Sequence, residues 1–354
     1  MVAVTLIVKS YIGARRCARI LEMLQKLLET RPWLLADGAT GTNLFDMGLM
    51  SGDAPELWND RHPEKIAALH QSFVDAGADI ILTNTFGCNA RRLMLHDAQA
   101  RTHELNVLGA RIARKVADAA GRPVVVAGSV GPTGDLLEPL GVLTEAEACA
   151  VFVEQMLGLK EGGADVLWIE TMSAMDEIRA AVAAAAIVAM PCTVTASFDT
   201  AGRTMMGQTP EAFVDHVTAL PNPPLAVGAN CGVGAPDLLG SVLGLTGADP
   251  SLVVIGKANA GIPTVHGTHT HYSGTPELMA RYARMARDAG ARIIGGCCGT
   301  SPVHLAAMRA ALEGYEPGER PVVAEIIARI GPFVSPPPAA DSERAPRENK
   351  RRRG

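Results

Sequence analysis

Eight short apolar, β-like runs, separated by segments of helical period, constrain the fold of this chain more than any other feature. They are Trp33–Asp37, Asp79–Thr83, Pro123–Gly128, Asp165–Glu170, Pro191–Ser197, Leu225–Ala229, Leu252–Lys257 and Ala291–Gly296. Between them lie Ala/Leu/Glu/Arg-rich stretches such as Pro63–Ala76, Glu104–Ala119, Glu145–Glu161 and Pro276–Ala289, whose apolar residues recur at helical spacing. Helix starts are signalled at Thr144, ahead of Glu145-Ala146-Glu147, and at Thr209-Pro210-Glu211, where a side-chain oxygen can take a free backbone N–H. The phrase Asp75-Ala-Gly-Ala-Asp79 returns as Glu161-Gly-Gly-Ala-Asp165 and Asp288-Ala-Gly-Ala-Arg292, each time placing Gly where a helix stops before a buried strand. Eight such units predict an α/β protein, a single (β/α)8 TIM barrel, a fold that takes about 250 residues. An open, doubly wound sheet would lean on G-x-G-x-x-G after the first strand; Asp37-Gly-Ala-Thr-Gly-Thr stands there instead.

The barrel is expected to fill residues 23–316, with a short helical appendage at 317–337 and a disordered basic tail at 338–354 containing no apolar pattern. Residues 1–22 read as an extension that precedes a native start at Met23, although their basic character superficially resembles a transit peptide. The formal net charge is −5, with +3 on residues 1–22 and +3 on residues 338–354, so the body between them carries −11. That charge argues against nucleic acid as a partner. No apolar stretch reaches the roughly 20 residues of a membrane span. The seven cysteines form no disulfide framework, and a reducing cytoplasm suits them.

Three of those cysteines carry the chemistry. Cys231 lies in Gly228-Ala-Asn-Cys-Gly232, and Cys297 and Cys298 lie in Gly295-Gly-Cys-Cys-Gly-Thr300, each motif directly after a β-like run. Thiolates suit Zn²⁺, and three protein ligands leave a fourth position for water or a substrate atom. Three buried structural cysteines are the alternative. Glycines on both sides of each motif favour loops built for close approach, and with them the metal. Glu170 ends an apolar strand, an unusual place for an unpaired acid, whereas Asp37 before Gly38 reads equally well as a turn residue.

With these motifs in view, the chain resembles the homocysteine S-methyltransferase family. The matching segments are Asp37-Gly-Ala-Thr-Gly-Thr, Thr83-Asn-Thr-Phe-Gly, Gly128-Ser-Val-Gly-Pro-Thr-Gly, Ile169-Glu-Thr and the two cysteine motifs, in family order over residues 33–313. The resemblance implies one zinc ion per chain on Cys231, Cys297 and Cys298, with Asp37 and Glu170 holding the α-ammonium of L-homocysteine. The substrate carboxylate would then meet backbone N–H groups at Gly38 and Ala39. Asn84 and Asn230 either orient the substrate and ligand shell or serve turns and packing. The implied reaction is attack of an activated homocysteine thiolate on a methyl group, giving methionine.

The donor is left open. Betaine, S-methylmethionine and methylcobalamin on a partner domain are all used within the family. A quaternary ammonium calls for an aromatic cage, and the chain has fourteen aromatics in all. Gly87 and Thr171 stand where betaine-using relatives carry aromatics, leaving Trp33, Trp58 and Tyr272 as cage members. Methylcobalamin would require a separate corrinoid protein docking over the barrel mouth. Readings from other classes are a non-catalytic zinc or redox-sensing barrel, a methyltransferase for another thiol, and a subunit that chiefly docks a methyl carrier; the oligomeric state is open. His266, His269 and His271 are expected in a surface or rim loop rather than at a metal, Gly128–Gly134 in a substrate-side loop, and Met205–Met206 in loop packing.

Overall fold

The computed structural model describes residues 23–266 and 269–336. The expected extension at 1–22 and the tail at 338–354 lie outside the described residues, as do the side chains of His266, His269 and His271. Eight parallel strands form one sheet: β1 (Leu34–Leu35), β2 (Ile80–Leu82), β3 (Val125–Val130), β4 (Val166–Met172), β5 (Cys192–Ala196), β6 (Ala226–Cys231), β7 (Val254–Ala258) and β10 (Ala291–Gly296). Each pairs with its neighbour in the chain, β10 pairs with β1 at Leu34–Ile293, and a parallel bridge from Ala36 to Ile80 joins β1 to β2 and closes the barrel. β8 (Pro263–His266) and β9 (His269–Tyr272) form an antiparallel hairpin inserted after β7.

Helices α1 (Pro63–Asp75), α2 (Thr102–Ala119), α3 (Glu145–Gly162), α4 (Met175–Ile187), α5 (Pro210–Thr218), α6 (Ala235–Ala248), α7 (Pro276–Asp288) and α8 (Pro302–Leu312) surround the strands. The anticipated start of α3 is a capping box, Thr144 Oγ1 accepting from Glu147 N while Glu147 reaches back to Thr144 N. Alternation along each strand separates two cores. Leu34, Ile80, Val125, Val166 and Trp168 point into the barrel, while Leu35, Ile81, Val126 and Leu167 meet the helices. Leu24, Leu27 and Leu28 of the helix Met23–Thr30, at i, i+3, i+4 spacing, join the inner cluster and plug the end at which the strands begin. The opposite end, where the strands finish, stays open.

Candidate active site

That open end holds a cavity of about 640 Å³, lined by residues that include Gly38, Asn84, Ser129, Glu170, Cys231, Lys257, Tyr272, Cys297 and Cys298. Every one but Tyr272 lies at or just past the carboxyl end of a barrel strand, which is the catalytic face of this fold. Two non-glycine residues at its edge have left-handed backbone, Thr171 with φ 61° and Cys231 with φ 63°. Such conformations are strained and gather at functional sites. Here one follows Glu170 directly and the other turns Cys231 off the end of β6.

The three sulfur atoms of Cys231, Cys297 and Cys298 lie within 4.8 Å of one another, and Cys231 Sγ is 3.9 Å from Cys298 Sγ. A tetrahedral metal with 2.3 Å bonds to sulfur has ligands about 3.8 Å apart, so the spacing suits zinc. Each sulfur also meets one polar hydrogen from a different segment. Asn259 Nδ2 is 3.7 Å from Cys231, Asn230 Nδ2 is 3.8 Å from Cys297, and the Tyr272 hydroxyl donates to Cys298. Such donors stabilise thiolate over thiol. A hydrogen bond from one neighbouring thiol lowers Cys231 and Cys298, but the bond each gives to the other neighbour, together with burial, prevails and pushes both up to about 12, with Cys297 higher still. A metal binding here would displace thiol protons, as thiolate ligation requires.

Asn230 sits behind the cysteines rather than on the cavity wall. Its Oδ1 accepts from Thr171 N (2.9 Å) and Thr195 Oγ1 (2.6 Å), and its Nδ2 donates to Thr171 Oγ1 (2.7 Å). It thereby fixes the strained turn after Glu170 and touches Cys297 with the same amide. Asn84 lines the cavity, yet its Nδ2 is committed to Pro55 O (2.8 Å) and Asn59 Oδ1 (2.9 Å).

Asp37 and Glu170 come together through a residue that the sequence reading missed. Lys257, only 2% exposed, places Nζ 2.8 Å from Asp37 Oδ1, while Asp37 Oδ2 accepts from Leu82 N at 2.7 Å. Burial opposes the charge of Lys257, but the carboxylates of Asp37 and Glu170 outweigh it and hold the ammonium above the usual lysine range. Glu170 accepts from Ser129 Oγ at 2.5 Å, and burial raises its carboxyl against the pull of Lys257. Burial raises Asp37 as well, against the same lysine; with both acids ionised, the group carries one negative charge in excess. The signal for Lys257 was present: like Glu170, it is a lone charge at the end of an apolar strand.

At Gly38 a Cβ would come 2.7 Å from the Phe73 ring and 2.8 Å from Thr300 Oγ1, so only glycine fits. The Ala39 N–H, expected to be free for a carboxylate, is already donated to Thr300 (3.1 Å). Of the aromatic residues anticipated for a cage, only Tyr272 lines the cavity. Trp33 precedes β1 and lies at the opposite end of the barrel, and Trp58 is buried against Lys65 and His62. Met205 and Met206 are not packed as expected, being 74% and 37% exposed.

Comparison with known proteins agrees with this site. Residues 34–312 match the family model described as homocysteine S-methyltransferase. The chain is 31% identical over 308 residues to methionine synthase of Mycobacterium tuberculosis, covering 82% of this chain and 25% of that protein. Methionine synthase of Mycobacterium leprae is 32% identical over 325 residues, covering 84% of this chain and 26% of that protein. The chain thus spans about a quarter of the length of these relatives. Among solved structures, the metallated form of the homocysteine methyltransferase MmuM from Escherichia coli superposes with a TM-score of 0.68 at 25% identity, covering 81% of this chain and 99% of that one. Its oxidized form gives 0.67 at 26% identity, covering 81% and 98%. This chain belongs to the homocysteine S-methyltransferase family.

Proposed function

We propose that the protein is a zinc-dependent homocysteine S-methyltransferase that makes methionine. One observation carries this reading: three thiols within 4.8 Å of one another share a cavity with the buried acid Glu170 and with Lys257, which Asp37 holds from behind. Cys231, Cys297 and Cys298 would hold the metal, whose chemistry there is to lower the pKa of a fourth sulfur ligand.

The protein's own residues supply placement. The excess negative charge of Asp37, Lys257 and Glu170 receives the substrate's α-ammonium, which would otherwise be buried unpaired. Because Asp37 is committed to Lys257 and Leu82 N, Glu170 makes the direct contact and Asp37 acts through Lys257. Asn230, Asn259 and Tyr272 favour thiolate over thiol at the cysteines. The thiolate of homocysteine then displaces the methyl group's leaving atom in line, and the barrel contributes proximity rather than acid–base catalysis.

The donor that suits this mouth is methylcobalamin on a partner protein. Phe45, Met50, Leu95, Leu136, Leu140 and Met205, on loops after β1, β2, β3 and β5, expose between 48% and 76% of their surface around the opening. An apolar rim of this kind marks a docking surface. The cavity lining has three aromatic residues, Phe45, Phe86 and Tyr272, of which Phe45 points largely to solvent. Purified protein assayed with L-homocysteine and either a methylated corrinoid protein, S-methylmethionine or betaine tests the proposal. Methionine formation with the first supports it in full, formation with either small donor corrects the donor, and no turnover with any refutes the activity.

A further inference from the structure

A second cavity, of about 530 Å³, lies at the closed end of the barrel, opposite the cysteines. It is walled by Arg31 and Trp33 ahead of β1, Asp79 ahead of β2, Arg122 ahead of β3, and Arg309 and Tyr315 at the end of the last barrel unit. Three guanidinium groups here share a single buried carboxylate. Asp79 is 1% exposed and saturated: Oδ1 accepts from Arg31 Nη1 (2.7 Å), and Oδ2 from Leu35 N (3.0 Å) and Arg309 Nη1 (3.1 Å). Arg122 gives Nη2 to the carbonyls of Val74 (2.8 Å) and Ala78 (2.9 Å). Its Nη1 is buried 3.7 Å from Asp79 Oδ1 with no hydrogen-bond partner among the described residues.

Two other acids of the wall bring its formal charge to zero but stand toward solvent. Glu313 meets Arg309 Nε at 3.1 Å but is 68% exposed, and Glu316 lies on the rim. Burial first, and then the neighbouring Arg309 and Arg31, outweigh Asp79 and Asp75 and hold Arg122 below the usual arginine range. Arg309 Cζ sits over the Trp33 ring, 4.8 Å from its centroid, and the side chain is held further by Asp79 and Glu313. A buried donor left unpaired is costly, and guanidinium forks match the paired oxygens of an oxyanion.

From this cluster we infer that the closed end of the barrel is a binding site for a small oxyanion of the phosphate class, held by Arg31, Arg122 and Arg309. It is separate from the methyl-transfer site and does not depend on that activity.

Melting curves of the full chain in inorganic phosphate, against sodium chloride at equal ionic strength, test it. The wild type should show a saturable rise in melting temperature in phosphate. R122Q should bind phosphate at least about tenfold more weakly, and E170Q, at the other end of the barrel, should match the wild type. Selenate soaked into wild-type crystals gives a second readout that needs no variant, with its anomalous peak between the three arginines. Absence of a saturable shift in the wild type, equal phosphate affinity in a folded R122Q, or a selenate peak only elsewhere overturns the inference.

Discussion

Lys257 Nζ sits 2.8 Å from Asp37 Oδ1, joining the ends of β7 and β1 across the base of the open cavity, with both side chains 2% exposed. The pair turns two nearby acids into a group with one negative charge to spare, matching the single ammonium of an amino-acid substrate.

Lys257→Met should therefore be severely destabilising. Breaking a buried ion pair from one side costs about 3–5 kcal/mol, here worsened by the neighbouring Glu170. Asp37→Asn combined with Lys257→Met should recover part of the loss, because no buried charge is then orphaned at the pair. Urea unfolding of both variants checks this.

Glu170→Gln keeps shape and the contact with Ser129 while removing the charge. A hydrogen bond to a charged group contributes about 1.5–3 kcal/mol, so KM for L-homocysteine should rise about 10- to 100-fold. Zinc content should not change. Steady-state kinetics with metal analysis separates the two readouts.

Asn230→Ala removes the amide that reaches Cys297 and holds Thr171 in its strained turn. Loss of such a supporting contact lowers metal affinity about 10- to 100-fold. Competition for zinc against a chromophoric chelator measures it.

His70, on α1, is buried, and burial lowers its pKa to about 4. The folded state keeps it neutral, whereas the unfolded chain protonates it near pH 6.5. Stability is thus fully present above pH 6.5 and is lost as pH falls toward 4, by about 3 kcal/mol in all. His70→Leu should remove that component, seen as a smaller drop in urea midpoint between pH 7.5 and pH 5.

The strand ends were legible because a parallel barrel buries both faces of each strand, so the strands read as apolar runs and any charge that ends one stands out. Glu170, Cys231 and the Cys297–Cys298 pair stood out in this way. Lys257 carried the same signal. Its role depends on β7 and β1 lying on either side of β10 in the closed barrel, which no local pattern encodes. Asn259 looked like an ordinary loop residue, and only the adjacency of β6 and β7 brings it to Cys231. The topology alone should have removed Trp33 from the cage, since a residue ahead of a strand lies at the far end from the cysteines.

Zinc-edge X-ray absorption on the purified protein, with and without L-homocysteine, tests the central claim most directly. The account predicts zinc with three sulfur neighbours, rising to four when homocysteine is added. No zinc, or a sulfur shell that homocysteine leaves unchanged, would contradict it.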